Sequence, residues 1–174
     1  MNFILIQAIG AIAFFTLSAS YYQKEKKNIL FMQIIAYIFF TIHYYLLSGV
    51  TGAICNVMGL LALLSIYIIE KYNWKNKRLI AGLFIVFIFI INLATFQNIF
   101  SIFPMIASII VIVSFLMNNE EYIRAIGVIS AVCWLIYAIA YKSYISIVFE
   151  VITLIGTLIA FAKNTTNPDF KIKE

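Results

Sequence analysis

Charged and polar positions cut this chain into seven long apolar stretches, at residues 2–21, 29–47, 50–69, 79–95, 99–117, 122–140 and 144–162. Each is close to the length needed to cross the hydrocarbon core of a bilayer as a helix, about 20 mostly apolar residues. Ile, Val, Tyr and Phe are abundant, as they are in strands. The stretches are continuously apolar rather than alternating, however, so they predict helices and not barrel strands. The connections are short. Residues 22–28 carry Lys24-Glu25-Lys26-Lys27, and residues 70–78 carry Lys71, Lys75, Lys77 and Arg78. Ser48-Gly49 and Tyr141-Lys142-Ser143 are tight turns, Phe96-Gln97-Asn98 is uncharged, and Asn118-Asn119-Glu120-Glu121 is acidic. A polar tail begins at Lys163.

Composition agrees with this pattern. Of 174 residues, 64% are hydrophobic and 11% charged, against about 45–50% and about 25% in an ordinary soluble domain. A soluble fold of this length cannot cover so much apolar surface. Two cysteines do not make a disulfide scaffold, and a disordered chain is far less hydrophobic. The expected class is an all-α integral membrane protein with seven transmembrane helices.

The net charge of +5 then changes meaning. Seven spans place alternate loops on opposite sides, and eleven of the twelve Lys and Arg residues fall on one side, with only Lys142 opposite. By the positive-inside rule that side is cytoplasmic, which puts the N-terminus outside and the C-terminus inside. The charge marks orientation and implies no nucleic-acid partner. The first stretch lacks a basic leader and a small-residue cleavage site, so it reads as a retained helix.

A shift of 94 residues lays helices 1–3 onto helices 5–7 and leaves helix 4 as a linker. Identities such as Ile12/Ile106, Ala13/Ala107, Ser20/Ser114 and Val57/Val151 are few; the matching of helix ends and polar stripes is the better signal. On helix 7, Ser143, Ser146, Glu150, Thr153 and Thr157 recur at steps of three and four, which puts them on one face. Gly49, Gly52, Asn56, Gly59 and Leu63 correspond on helix 3. Gly127, Ser130, Trp134, Tyr137 and Tyr141 form a stripe on helix 6, matched by Gln33, Ala36, Phe40, His43 and Leu47 on helix 2. The expected layout is a 3+1+3 parallel repeat: residues 1–69 as the first three-helix unit, 70–97 as a basic loop and linker helix, 98–163 as the second unit, and 164–174 as a flexible cytoplasmic tail.

Small-residue stripes serve helix packing, and Gly49, Gly52, Gly59 and Thr157 are read that way. Asn56 and Glu150 occupy equivalent places about two turns inside the outer ends of their helices, where a symmetric fold brings them to opposite walls of one cavity. Glu150 is the one acid deep within a span. An ionised side chain there costs about 2.5–3.5 kcal/mol on insertion scales, so Glu150 is either protonated and bonded to a neighbouring helix or a ligand or proton site. His43, the only histidine, is an interfacial residue or a ligand, and with Glu150 it could relay protons. Trp134 can pack or stack on a ring-bearing solute. Tyr44, Tyr45 and Tyr141 fit an interfacial belt. Pro104 matches Gly10 and, inside a span, frees a carbonyl for a hinge or a static kink. Asn92 reads as packing glue. One histidine and cysteines on separate helices predict no metal centre, and no catalytic constellation or cofactor motif appears.

Gln7-Ala8-Ile9-Gly10, Ser20-Tyr21-Tyr22-Gln23, the run from His43 to Gly49 leading to Gly52-Ala53 and Asn56, then Pro104, Cys133-Trp134 with Tyr137, and Glu150, resemble the YgjV-like family of bacterial inner-membrane proteins over about residues 3–163. The resemblance implies the bacterial cytoplasmic membrane. More distantly, the 3+1+3 layout is similar to SWEET and PQ-loop transporters. That similarity implies a solute pocket lined by Phe40 and Asn56 from one half and by Trp134 and Glu150 from the other. Met105 follows Pro104, so the Pro-Gln motif is absent, and sugar specificity does not carry over.

The expected function is a small-molecule transporter, not an enzyme. It works by alternating access, with Asn56, Glu150, Trp134, Phe40, His43 and Tyr137 along the path of a small polar or ring-bearing solute. The alternative is an assembly factor or sensor that binds another membrane protein. Homo-oligomers fit either reading. A cavity around Asn56 and Glu150 separates transport from a packed interior with an exposed groove.

Overall fold

In a computed structural model, residues 2–20, 26–72, 76–114, 116–117 and 120–166 are described. Seven α-helices follow in order: α1 (Phe3–Ser20), α2 (Lys26–Leu46), α3 (Val50–Lys71), α4 (Lys77–Ala94), α5 (Ile102–Ser114), α6 (Glu120–Ala140) and α7 (Tyr144–Thr166). Among the described residues there is no strand. At about 1.5 Å per residue, the 23 residues of α7 reach about 34 Å. The 18 residues of α1 reach about 27 Å, close to a hydrocarbon core of about 30 Å.

The helix ends differ from the hydropathy pattern in one consistent way. Lys26, Lys27 and Asn28 belong to α2 rather than to a loop, Glu120 and Glu121 open α6, and residues 164–166 extend α7 rather than starting the tail. Charged residues cost little once a helix leaves the apolar slab, so the helix continues after the hydropathy signal stops. The rest of the basic first loop and the tail from residue 167 lie outside the described residues.

Helix 5 departs furthest. Instead of one span over residues 99–117, a single 3₁₀ turn (Ile99–Ser101) leads into a 13-residue α5. Asn98 starts the turn from an extended backbone, and its side-chain oxygen accepts from the Phe100 N–H at 3.0 Å. Pro104 therefore sits in the first turn of α5 and not within a span. There its missing N–H deprives the helix of little, so the carbonyl freed by a mid-span proline, on which the hinge expectation rested, does not arise.

The principal helix contacts run α1–α2–α3–α5–α6–α7 and back to α1, a closed ring of six. Helix α4 lies outside it, packed on α3 and α5. Its Ile88 and Ala81 join Met58, Ala62 and Ile112 in a buried cluster, while Leu79, Leu83, Val86, Phe87, Ile90 and Leu93 stay exposed. An apolar face of that extent on the outside of a helix ring suits lipid.

The α2–α3 and α6–α7 turns have the same geometry. Ser48 (φ 62°) and Lys142 (φ 53°), 94 positions apart, both adopt the left-handed conformation without being glycine. Gly49 N–H donates to the Tyr44 carbonyl at 2.8 Å and Ser48 N–H to Tyr45 at 3.0 Å. In the second turn, Ser143 N–H donates to Ala138 at 2.9 Å and Lys142 N–H to Ile139 at 3.2 Å. Each is a Schellman-type helix end, and each leads directly into the next helix.

Candidate functional site

A cavity of about 280 Å³ lies inside the helix ring, with walls from α1, α2, α3, α5, α6 and α7. The stripes named above supply half of the lining residues. Asn56 and Gly59 come from α3, Ser146, Glu150 and Thr153 from α7, Gly127, Ser130 and Trp134 from α6, and Ala36 and Phe40 from α2. Leu17 of α1 and Ser108, Val111 and Ser114 of α5 complete the ring, together with Tyr37, Tyr44 and Phe149.

Asn56 and Glu150 each stand six residues into their helices and both face this space. Asn56 is 5% exposed, and its side-chain N–H donates to the Gly52 carbonyl at 2.9 Å, which turns its amide oxygen the other way. Glu150 is 9% exposed. Among the described residues no group hydrogen-bonds or ion-pairs with its carboxyl. Among the described residues no sealed-off side-chain oxygen lacks a partner, so the Glu150 oxygens open onto the cavity. No Lys, Arg or His is among the lining residues.

Two of the lining hydroxyl protons point to backbone carbonyls. Ser130 donates to the Ala107 carbonyl at 3.3 Å, tying α6 to α5, and Ser114 donates to the Val111 carbonyl at 2.7 Å. Aromatic rings form the rest of the wall: Trp134 and Tyr44 lie with ring centres 5.7 Å apart, and Phe40 and Phe149 6.3 Å apart.

Two expected lining residues stand elsewhere. His43 and Tyr137 are both 0% exposed and belong to a seal at the end of the cavity bearing the two Schellman turns. His43 Nδ1–H donates to the Ile6 carbonyl at 2.8 Å, and its Nε2 lies 2.6 Å from Ser143 Oγ. Ser143 Oγ is in turn 2.6 Å from Ser146 Oγ, against which the Tyr44 hydroxyl lies. Tyr137 OH accepts from the Gly52 N–H at 2.9 Å. Tyr137 reaches from one helical hairpin to the first turn of the other, where helix amides have no internal partners, and His43 reaches the opposite way to the residue just before α7. Close approach is possible because the neighbours are glycines. A Cβ on Gly52 would run into the Tyr137 ring, and one on Gly10 would lie 2.8 Å from His43.

Two glutamines finish the seal in the same reciprocal way. Gln7 of α1 donates to the Lys142 carbonyl at 3.0 Å and accepts from the Ile145 N–H at 3.2 Å. Gln97, ahead of α5, donates to the Ser48 carbonyl at 3.1 Å and accepts from the Val50 N–H at 3.1 Å. Each spans a left-handed turn residue and the start of the helix after it. Gln97 also accepts from the Tyr141 hydroxyl at 3.2 Å. At the opposite end, Ser114 is half-buried and Gly127 is exposed, with nothing within 4 Å of a Cβ placed on it.

Tyr44 is buried in the cavity wall rather than in an interfacial belt; the neighbouring Tyr45 fits the belt, at 65% exposed. Periodicity alone does not distinguish adjacent tyrosines near a helix end, although Tyr44 does follow Phe40 by one helical turn. Ser108 and Ser114 carried no signal, because α5 shows no stripe. Asn92 of α4 reaches Cys55 with its side-chain N–H 3.7 Å from the sulfur. Both cysteines are free, and among the described residues no three His, Cys, Asp or Glu side chains come together.

Six apolar helices around a buried, polar-lined cavity, with a seventh packed outside them, define an all-α membrane protein with an interior site. The chain belongs to the Imp-YgjV family of bacterial inner membrane proteins, whose family model matches residues 4–167. No curated protein and no solved structure matches it.

Proposed function

We propose that this protein is a small-molecule transporter that works by alternating access between two three-helix halves. The supporting observation is the cavity itself. It holds Asn56 and Glu150, is sealed by hydrogen bonds at one end, and runs toward Gly127 and Ser114 at the other. A packed interior would favour the partner-protein alternative. The duplicated layout is supported by the helix ring, in which α3–α5 and α7–α1 are equivalent seams under the 94-residue shift, and by the twin Schellman turns. Among the described residues, the basic residues other than Lys142 lie at the end toward which the cavity runs. With the positive side cytoplasmic, the N-terminus is outside, the C-terminus inside, and the present conformation is closed outward.

Purified protein in liposomes tests the reading, with a panel of small polar and ring-bearing solutes offered to wild type and Glu150→Gln. Saturable flux that Glu150→Gln abolishes is the expected result. No saturable flux for any solute, together with full activity of Glu150→Gln in cells, removes the transport reading.

A further inference from the structure

We infer that the cavity binds a small organic ammonium ion, with its charged head on Glu150 and its apolar body against Phe40, Trp134 and Phe149. The inference deepens the transport reading by naming the class of solute for that same site.

The cavity presents acceptors and few donors. The Glu150 carboxyl has no protein partner among the described residues. One Asn56 N–H is engaged by Gly52, which leaves its amide oxygen and its second N–H for a ligand. Ser114 and Ser130 give their protons to backbone carbonyls, so their lone pairs are what remain. The donors that remain are the Trp134 indole N–H, the Thr153 hydroxyl and the second Asn56 N–H, beside a larger set of acceptors that includes both Glu150 oxygens. A solute that is itself an N–H donor complements this set; a carboxylate or phosphate does not. Charge points the same way, since the described lining residues include one acid and no base, so an entering cation is the group that can pair with Glu150 in its ionised form. A charge-assisted hydrogen bond is about twice as strong as a neutral one. The aromatic walls suit the rest of the solute, because ring faces attract cations and bury apolar carbon.

Three near-isosteric probes differing in charge decide the matter: 2-phenylethylammonium, 2-phenylethanol and phenylacetate, titrated by calorimetry into the full chain in nanodiscs at neutral pH. Wild type is expected to bind the ammonium at least about tenfold more tightly than the alcohol, the low end for a hydrogen bond to a charged group, and not to bind phenylacetate. Glu150→Gln brings the ammonium down to the level of the alcohol. The inference is overturned if the alcohol or phenylacetate matches the ammonium, if none of the three binds at millimolar concentration, or if a folded Glu150→Gln binds the ammonium like wild type. Should that variant not fold, the wild-type ranking still decides. Uptake of labelled 2-phenylethylammonium by proteoliposomes over protein-free liposomes is the separate test of transport. The binding ranking without uptake keeps the site and removes transport; saturable flux of another solute without the ranking does the reverse.

Discussion

His43 and Tyr137, 94 positions apart, make the same reach in opposite directions. His43 extends from α2 to Ser143 at the start of α7, and Tyr137 extends from α6 to Gly52 in the first turn of α3. The pair joins two helical hairpins across the sealed end of the cavity. Removing either group takes away buried hydrogen bonds. Tyr137→Phe orphans the Gly52 N–H and is expected to cost about 1–3 kcal/mol. His43→Ala removes two buried hydrogen bonds and adds a void, at a cost of about 2–4 kcal/mol. Thermal unfolding in detergent checks both, and melting curves identical to wild type would contradict the seal.

The glycines separate into two groups. Gly10→Ala and Gly52→Ala place a Cβ against His43 and the Tyr137 ring and should destabilise by about 1–3 kcal/mol through overpacking. Gly82→Ala and Gly156→Ala meet nothing within 4 Å and should be neutral or stabilising by up to about 1 kcal/mol. The same melting experiment orders all four.

Gln7→Ala removes two hydrogen bonds from the sealed end and Gln97→Ala three. These contacts are partly exposed, so each substitution should cost only about 1 kcal/mol. The two effects should be similar in size. A much larger effect of one than of the other would show that the two clasps do not share the sealing equally.

Gly127→Cys in a background with Cys55 and Cys133 replaced by serine reports the side of access. A membrane-impermeant thiol reagent is expected to label it from the side bearing the basic loops and not from the side bearing Ser48 and Lys142. Labelling from the Ser48 side alone would reverse the assigned orientation of the cavity.

The seven helices were legible because each apolar stretch is long and continuous, and the polar stripes fall on the faces that meet inside the ring. The division within each stripe was not legible. Ser143, Ser146 and Glu150 follow one period, yet Ser143 belongs to the seal and Glu150 to the cavity, because only the convergence of α1, α2 and α7 determines where the interior closes. His43 and Tyr137 resembled solute ligands for the same reason. The break before α5 was hidden by hydropathy, which stays high through Ile99, Phe100 and Ile102 while the backbone is redirected by a capping asparagine.

The twin turns at Ser48 and Lys142 also limit how the molecule can move. With no spare residues between α2 and α3 or between α6 and α7, neither hairpin can splay at its tip, and each must travel as a stiff two-helix arm. Opening of the sealed end then falls on the seams between arms, α3 against α5 and α7 against α1. The clasps from Gln7 and Gln97 cross those seams, so they act as latches that part together when the arms swing.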